Sequence, residues 1–343
     1  MTTPCEYTLA EKPCIDTLVN LGYTWLPPSQ NDRARDGQNQ VILRDILIQA
    51  VQEINDVSEE VARGVYHELL AVSDNEQWAP ILRGNYSRTV PGEDTKKTIF
   101  VIDLLHPENN TYTVTNQLYV KSQHPRKPDV VVYVNGIPLV VIEAKSPLSF
   151  KDKTDEAFDQ IKQYEQDIPR LFYSNAFNII TNGVSLLFGA TGASSEFWGA
   201  WRDPWPMKES DFQTSFDKGL YCLLEPSRLM DILAHFIVFE IDKTDNKIVK
   251  KICRYQQYRA VNKIVERVIE GKHRKGLIWH TQGSGKSLTM VFATLKLKNH
   301  LTIQTSKLTS PNIMVLTDRK NLDRQISDTF LACKLPNPKK IES

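Results

Sequence analysis

The sequence lacks a surplus of charge of one sign, because 42 Lys and Arg residues balance 41 Asp and Glu residues and leave a formal net charge of +1. This balance excludes a uniformly basic coat for nucleic acid, although it permits a local basic groove. No apolar run approaches the roughly 18 residues of a membrane span. The N-terminus lacks the basic and apolar regions of a signal peptide. The sequence therefore predicts a cytoplasmic protein without a membrane segment.

Cysteine is scarce, and its pattern excludes two kinds of structural site. The cysteines are Cys5, Cys14, Cys222, Cys253 and Cys333. Their number is odd, their spacings are wide and no pair forms a Cys-x-x-Cys motif, so neither a disulfide framework nor a zinc site is expected. Buried thiols in a reducing compartment are the expected state. With 343 residues, 41% of them hydrophobic, the chain has the length and composition for two ordinary domains.

Hydrophobic periodicity predicts an α/β chain with a charged stretch between two domains. Two Asn-Gly pairs, at 135–136 and 182–183, each separate two apolar runs and predict β-hairpins. We expect a first domain at 1–240, a linker at 241–253 and a second domain at 254–343. Helices are predicted near 11–22, 41–54, 58–72, 153–167, 219–240, 254–270 and 286–300, further strands at 99–102, 111–120, 277–279 and 313–316, a loop at 30–40 and an ordered covering segment at 196–213.

The first predicted hairpin carries acidic and basic residues at its open end. Asp129 precedes the first strand, and Glu143 and Lys145 end the second and share one face of it. Oxygen ligands of this kind suit Mg²⁺, so Asp129, Glu143 and the backbone carbonyl of Ala144 are candidate metal ligands. Lys145 would orient the attacking water and offset charge on a phosphate in the transition state. This is the chemistry of phosphodiester hydrolysis, and a surface salt bridge on a hairpin is the alternative.

The helix predicted after this hairpin contributes a candidate DNA contact. Gln160 and Tyr164 are four residues apart and therefore lie on one face of that helix. They are candidates for contact with a DNA backbone beside the metal site. Taken alone, such a pair is more often part of a solvated helix face.

Residues 279–289 contain the second half of a phosphate-binding loop, between an apolar strand and a helix. Backbone N–H groups of such a loop bind phosphate oxygens at the N-terminus of the helix. Lys286 would reach the β- and γ-phosphates of ATP, and the Ser287 hydroxyl would bind Mg²⁺. His280 stands where the general pattern has its first glycine. The candidate nucleotide-binding residues of the loop are Gly283, Ser284, Gly285, Lys286 and Ser287.

The preceding predicted helix begins with a candidate adenine-binding group. A glutamine amide both donates and accepts hydrogen bonds, so Gln257 can pair with the two functions on the edge of adenine. Arg254, three residues earlier, is a further candidate for nucleotide binding. A solvated helix start is the alternative.

Together these motifs resemble the restriction and translocation (R) subunit of type I restriction-modification enzymes, over nearly the whole chain. In that family, a His before Thr-Gln-Gly-Ser-Gly-Lys is usual. The segments that carry the resemblance are 11–23, Asn116-Gln117, KPDVVVYVNGIPLVVIEAKSP at 127–147, 160–164, FNIITNGVSLLFGA at 177–190, 198–202, 254–258, LIWHTQGSGKSLTM at 277–290 and VLTDRKNLDRQ at 315–325.

The resemblance implies a PD-(D/E)xK nuclease domain followed by a RecA-like lobe of the superfamily 2 type. It implies Mg²⁺ and ATP as cofactors, double-stranded DNA as substrate, and methylation (M) and specificity (S) subunits as partners. Such an enzyme cleaves unmethylated foreign DNA endonucleolytically after ATP-driven translocation. Glu11 matches an acidic position of the family's first nuclease helix that assists the metal site. Asp318 and Arg319 lie in a motif that touches the translocated strand.

The resemblance is incomplete in the RecA-like part that would drive translocation. Neither a second acidic motif nor arginines of a second lobe follow the phosphate loop, so we expect an incomplete RecA-like lobe and no ATP hydrolysis by this chain alone. Apolar edges of that lobe are expected to be exposed. A second hypothesis is a truncated, non-catalytic module that docks on methyltransferase subunits or DNA. A third is a stand-alone nuclease with a regulatory nucleotide-binding domain.

Overall fold

In the computed structural model, the chain forms two units, residues 1–233 and residues 234–343. The structure describes residues 7–92, 94–146, 150–241, 247–299 and 311–333. The boundary therefore lies before the charged stretch at 241–253 that the sequence suggested as a linker.

The elements of the first unit follow the predicted order of helices, a hairpin-rich sheet and further helices. A single π-helical turn, Tyr7–Glu11, leads into the first helix. The helices are α1 (Lys12–Asn20), α2 (Pro28–Ala34), α3 (Arg44–Asn55), α4 (Glu59–Leu70), α5 (Asn75–Leu82), α6 (Phe150–Asp167), α7 (Ser215–Leu224) and α8 (Pro226–His235). The strands are β1 (Thr24–Trp25), β2 (Ser87–Thr89), β3 (Lys96–Thr98), β4 (Tyr112–Asn116), β5 (Val130–Val134), β6 (Ile137–Ala144), β7 (Phe177–Thr181) and β8 (Leu186–Gly189).

A mixed six-stranded sheet forms the centre of the first unit, in the order β1-β4-β5-β6-β7-β8. The β4–β5, β5–β6 and β7–β8 pairs are antiparallel, whereas β1–β4 and β6–β7 are parallel. Every residue of β4 to β7 is buried. Continuous burial of this kind is typical of strands that are covered on both faces. Helix α6 connects the parallel strands β6 and β7, as parallel pairing requires.

The hairpin of β5 and β6 turns at Asn135 and Gly136, as predicted. Both residues have positive φ, 50° and 75°, the requirement of a tight two-residue turn. The start of α3 docks on this turn, because the backbone N–H of Leu43 donates to the carbonyl of Gly136 at 2.8 Å. A β-bulge in β6 shifts the register between Val132 and Tyr133.

The second predicted hairpin is also confirmed, but its connection is longer than two residues. Strands β7 and β8 are joined by residues 182–185, and β8 starts only at Leu186. The longer loop has a local cause, since the Asn182 side-chain oxygen accepts from the backbone N–H groups of Val184 at 3.0 Å and Ser185 at 2.8 Å. These side-chain bonds replace the ladder bonds that a tighter turn would make.

Two predictions for the first unit are wrong in detail. Residues 30–40 are not all loop, because α2 occupies 28–34 and begins with Pro28, which is favourable at a first helical position. Residues 99–102 are not a strand, although Ile99, Val101 and Ile102 are buried. There, the Asn55 side chain accepts from Phe100 N–H at 2.7 Å and donates to its carbonyl at 2.8 Å, in place of a neighbouring strand.

The covering segment at 196–213 is ordered, as predicted. It contains two short 3₁₀ turns, Ser195–Phe197 and Glu209–Asp211. The Trp198 ring packs edge-on against Phe158 of α6, with centroids 5.7 Å apart. A Cβ atom at Gly189 would lie 2.5 Å from the Trp198 ring, so only glycine permits this contact with β8.

The second unit contains a strand pair where a helix end and a linker were expected. Strands β9 (Ile237–Ile241) and β10 (Ile248–Ile252) are antiparallel, so 219–240 is not helical to its end and most of 247–253 is strand. Residues 242–246 of the predicted linker lie outside the described residues. The helices are α9 (Tyr255–Glu270), α10 (Lys286–Lys298) and α11 (Lys320–Ala332). The Phe236 ring packs against Tyr258 of α9 and Phe292 of α10.

The two strands predicted beside the phosphate loop do not form. Residues 277–279 and 313–316 have irregular backbone in the structure. Leu277, Trp279 and Leu316 are 88%, 91% and 86% exposed. An apolar strand needs both a hydrogen-bonded neighbour and a covering layer, and the described residues of this unit pair only β9 with β10. Apolar side chains are thus exposed in this unit, but they lie on irregular backbone and not on the strand edges that were expected.

Four cysteines and the ranges searched for a membrane span lie within the described residues. Cys14, Cys222, Cys253 and Cys333 are buried, as expected, while Cys5 lies outside the described residues. In the described ranges, no helix combines the length and the apolar character needed to cross a bilayer.

The turn of the first hairpin offers a test of the fold. We expect Gly136→Ala to lower the free energy of unfolding by roughly 2–4 kcal/mol, from positive φ and overpacking together. The reason is that a Cβ atom there would lie 2.5 Å from the Leu43 carbonyl oxygen. In the control Gly192→Ala, φ is also positive at 79° but nothing lies within 4 Å, so a loss of only about 1–2 kcal/mol is expected. Urea unfolding followed by circular dichroism measures both, and equal losses would contradict the docking of α3 on the turn.

Candidate active site

The open end of the first hairpin brings the predicted acidic residues together. The antiparallel register pairs Val130 of β5 with Ile142 of β6, which places Asp129 beside the end of β6. The backbone N–H of Ala144 donates to Asp129 Oδ2 at 2.9 Å. Glu143 is wholly buried and Lys145 is only 6% exposed. The structure therefore brings half-buried Asp129 together with buried Glu143 and Lys145 in one cluster.

Helix α6 completes this cluster with the two polar residues predicted from its face. Lys145 Nζ donates to Glu143 Oε1 at 2.8 Å and to Gln160 Oε1 at 2.7 Å. Gln160 Nε2 in turn donates to the hydroxyl of Tyr164. A continuous chain of hydrogen bonds thus runs from the carboxylate of β6 through the lysine to α6.

Burial dominates the electrostatics of the cluster. Loss of hydration raises the pKa of Glu143 well above its ordinary value, and the nearby Asp129 charge raises it further, while Lys145 opposes both effects. Burial and the Glu143 charge likewise raise the pKa of Tyr164. Among the described residues, Glu143 Oε2 is buried without a hydrogen-bond donor. An acceptor in this state is costly unless another group binds it.

The donor set fits a hard cation that keeps water ligands. Asp129 and Glu143 offer carboxylate oxygens, and the free acceptor of Glu143 is the observation that favours a cation there. Within the described ranges, no group of three or more His, Cys, Asp or Glu side chains is arranged to hold a metal. A cation would therefore rely on these two carboxylates, a backbone carbonyl such as that of Ala144, and water.

Glu11 lies near the cluster but does not complete such a group. It is 5% exposed and ends the π-helical turn before α1. Burial raises the pKa of the Cys14 thiol most, and the charges of Glu11 and Asp129 raise it further. Because both charges act on Cys14, these three residues lie in one region of the structure. The π-helical turn packs on the second hairpin, because a Cβ atom at Gly183 would lie 2.4 Å from the Leu9 carbonyl oxygen.

An open cleft of about 690 Å³ lies beside the cluster. Gln160 and Tyr164 line it, so it reaches Gln160, which bonds to Lys145. The loop before β5 contributes Arg126 and Lys127, which sequence reasoning did not select. Arg126 pairs with Asp167 at 2.6 Å, whereas Lys127 is exposed. The other lining residues are Pro125, Glu156, Asp159 and Gln163.

The second unit holds the predicted phosphate loop between an irregular segment and α10. Gly283 and Gly285 have positive φ, 76° and 83°, which bends the backbone sharply before Lys286 starts the helix. Lys286 Nζ donates to the carbonyls of Thr281 at 2.8 Å and His280 at 3.2 Å, so the lysine folds over its own loop. The hydroxyl of Ser284 donates to the Thr281 carbonyl at 2.7 Å. Ser287 lies half-buried in the first turn of α10.

Gln257, the candidate adenine-binding residue, contacts this loop directly. Its Nε2 donates to the Gly285 carbonyl at 3.0 Å, and its Oε1 accepts from the Arg254 backbone N–H at 2.8 Å. Each amide function makes one bond within the protein, and the second N–H and second lone pair of the amide leave pairing with adenine chemically possible.

Gln117 also contacts the cluster, although the sequence alone offers no reason to assign it a role. Gln117 follows β4 with φ of 52°, and its side chain donates to Asp129 Oδ1 at 3.1 Å. No local pattern marks a glutamine for positive φ, because Gly, Asn and Asp are the usual residues there. Only the tertiary pairing of β4 with β5 reveals this contact.

Comparison with known proteins places the chain among the restriction enzymes. Residues 4–197 match the family model described as type I restriction enzyme R protein N terminus. This match covers more than half of the chain, so the chain belongs to that family. Residues 256–343 match the model of the SWI2/SNF2 ATPase.

Curated relatives support the same assignment. The chain is 32% identical to the type I restriction enzyme HindI endonuclease subunit of Haemophilus influenzae, over 94% of this chain and 32% of that protein. It is 30% identical to the putative type I restriction enzyme MjaIXP endonuclease subunit of Methanocaldococcus jannaschii, over 95% of this chain and 34% of that protein. The chain thus spans about a third of the length of these relatives.

The buried pair predicts a pH-dependent loss of stability in Lys145→Met. Without the ammonium group, the pKa of Glu143 rises further above its ordinary 4.5, so ionisation in the folded state becomes more costly. Near pH 4.5 the carboxyl is largely neutral and the loss is small, whereas at pH 8 we expect a loss of about 3 kcal/mol. Thermal unfolding between pH 5 and pH 8 measures this trend.

Lys218→Met is the matched control for this experiment. Lys218 is similarly buried, with 8% side-chain exposure against 7% for Lys145, but its partner Glu209 is 69% exposed. Water can hydrate that carboxylate in the variant, so its stability loss should not change between pH 5 and pH 8. A Lys145→Met loss that is equally flat would contradict the role of Lys145 as counter-ion of Glu143.

Proposed function

We propose that the first unit is a Mg²⁺-dependent endonuclease domain of the PD-(D/E)xK type. The observation that carries this proposal is the free acceptor oxygen of wholly buried Glu143, beside Asp129 and against the ammonium group of Lys145. A buried carboxylate with a second acidic neighbour and only one lysine is poorly compensated in the protein alone. A divalent cation would supply the missing positive charge and the missing partner for that oxygen.

Each residue of the cluster has a distinct task in this mechanism. Asp129, Glu143 and the Ala144 carbonyl would hold Mg²⁺, which supplies Lewis-acid activation of water and phosphate when bound. Lys145 would orient the attacking water and stabilise the extra negative charge on the phosphate. Gln160 holds the ammonium group of Lys145 at 2.7 Å and so fixes its direction. Tyr164, bonded to Gln160, would contact the DNA backbone from the cleft.

The substrate in this proposal is double-stranded DNA that lacks the host methylation. The cleft beside the cluster is open and polar, and Lys127 on its rim offers a positive charge to a phosphate. The resemblance to the family assigns recognition of the DNA sequence to the specificity subunit, and initial capture of DNA would also fall to partner subunits, because the balanced net charge of +1 gives this chain little general attraction for DNA. This division of tasks accords with the names of the relatives, which are endonuclease subunits.

For the second unit we propose ATP binding by part of a RecA-like lobe of the superfamily 2 type. The match to the SWI2/SNF2 ATPase and the positive-φ glycines before α10 support a phosphate site there. Lys286 would exchange its bonds to the loop carbonyls for bonds to phosphate oxygens, and Ser287 would bind the Mg²⁺ that accompanies ATP. In the assembled enzyme, this site would take part in ATP-driven translocation, to which Asp318 and Arg319 would contribute strand contacts. Both are about four-fifths exposed.

Nicking of supercoiled plasmid tests the nuclease proposal. We expect Mg²⁺-dependent nicking by the chain, with and without methylation and specificity subunits and ATP. Lys145→Ala should lower the rate by at least about 100-fold, since it removes transition-state stabilisation. Asp129→Asn keeps the volume of the side chain and should lower the nicking rate to a similar extent. It provides the test if Lys145→Ala proves unstable. Lys218→Met serves as the control, and equal nicking by all four proteins would indicate a contaminating nuclease and contradict the proposal.

Nucleotide binding is tested separately with a fluorescent ATP analogue. Lys286→Ala should lower its affinity by about tenfold or more, because charge-assisted bonds to phosphate contribute about 1.5–3 kcal/mol. Lys296→Ala on the same helix is the control, since Lys296 bonds to Asn262 outside the phosphate loop. Equal affinity of wild type and Lys286→Ala would contradict a phosphate site at this loop.

A further inference from the structure

Gln117 adopts a backbone conformation that its side chain does not favour. Its φ of 52° lies in the left-handed region, where Gly, Asn and Asp are the usual residues. Three residues other than glycine have positive φ in the described chain, and the other two, Asp56 and Asn135, are of the favoured types. An unfavourable conformation of this kind persists only where surrounding contacts impose it, and it is common at functional sites.

Those contacts hold both the main chain and the side chain of Asp129. The Gln117 backbone N–H donates to the Asp129 carbonyl at 2.8 Å. Its side-chain Nε2 donates to Asp129 Oδ1 at 3.1 Å, and the Ala144 backbone N–H donates to Oδ2 at 2.9 Å. Each oxygen of the Asp129 carboxylate thus accepts a hydrogen bond from a different segment, one just after β4 and one at the end of β6. Together the two donors fix the rotation of the carboxylate plane.

The direction of the carboxylate matters because Asp129 lies beside Glu143. Two neighbouring carboxylates repel each other, and Asp129 would relieve the repulsion by turning away from Glu143. The left-handed backbone at Gln117 directs the chain after β4 so that main chain and amide reach the same aspartate. A glycine there would satisfy the backbone but not bind Oδ1.

We propose that Gln117 is a positioning residue, which holds the Asp129 carboxylate in the direction needed to bind Mg²⁺ together with Glu143. This inference rests on the proposed nuclease function, since it assigns Asp129 as a metal ligand. It concerns the residue that orients the ligand, as hydrogen-bonded partners of metal ligands commonly do.

Two variants separate the backbone role of Gln117 from its side-chain role. Gln117→Gly removes the amide but favours the positive φ, whereas Gln117→Met keeps the length of the side chain and loses only the donor. A purely structural role predicts that Gln117→Gly is harmless or stabilising in every assay. Our proposal predicts that both variants lose metal affinity equally, although their thermal stabilities differ. Asp56→Gly is the matched control, because Asp56 has φ of 49° at the exposed C-terminal cap of α3.

Metal binding is measured on the full chain with Mn²⁺ alone, by the loss of the free-ion signal in electron paramagnetic resonance. We expect both Gln117 variants to raise the dissociation constant about 10- to 100-fold. Asp56→Gly should bind like wild type. Higher Mg²⁺ should restore nicking in the Gln117 variants but not in Lys145→Ala.

The possible results separate this inference from the proposed function. If Asp129→Asn abolishes Mn²⁺ binding but both Gln117 variants bind like wild type, the positioning role is wrong and the nuclease site stands. If Gln117→Met alone loses affinity, the effect is one of backbone strain, and the inference again fails. If wild type does not bind Mn²⁺, or Asp129→Asn binds equally well, the proposed metal site itself is wrong.

Discussion

Burial of Glu143 is the constraint on which the rest of the first unit depends. A wholly buried carboxylate next to Asp129 is unfavourable unless positive charge reaches it, and Lys145 supplies that charge at 2.8 Å. Because Glu143 and Lys145 are two residues apart on one strand, the charge pair needs no separate element. It does need a strand covered on both faces, since water would otherwise screen the pair. Every residue of β6 is buried, so the strand has this cover on both faces.

The geometry of the cluster follows from features at the other end of the hairpin. Asn135 and Gly136 set a two-residue turn, and the turn together with the β-bulge of β6 sets the pairing of Val130 with Ile142. A change of one residue in register would move every side chain of β6 to the opposite face of the sheet. The contact of Leu43 with Gly136 therefore stabilises, at a distance, the alignment of Asp129 with the end of β6.

Much of this arrangement is predictable from the sequence because its causes are local. An Asn-Gly pair between apolar runs predicts the hairpin, and a spacing of two or four residues places side chains on one face. The segment 99–102 was not predictable in the same way, since the Asn55 side chain replaces the neighbouring strand there. The same holds for Gln117, whose positive φ depends on pairing with a segment twelve residues away. Sequence patterns report local preference, whereas these two features depend on distant partners.

The two units differ in whether their apolar segments have neighbouring strands to pair with. In the first, the segments 130–134, 137–144 and 177–181 are equally apolar and become buried strands, because each has a neighbour on both sides. In the second, 277–279 and 313–316 have the same apolar character, yet Leu277 and Trp279 are almost fully exposed. Strand formation is therefore limited here by available partners and not by intrinsic preference. The cluster of Asp129, Glu143 and Lys145 lies on a sheet whose strands support one another, whereas the phosphate loop follows a segment that pairs with no described strand. The geometry of the hairpin cluster is therefore fixed by its own sheet, and that of the phosphate loop is not.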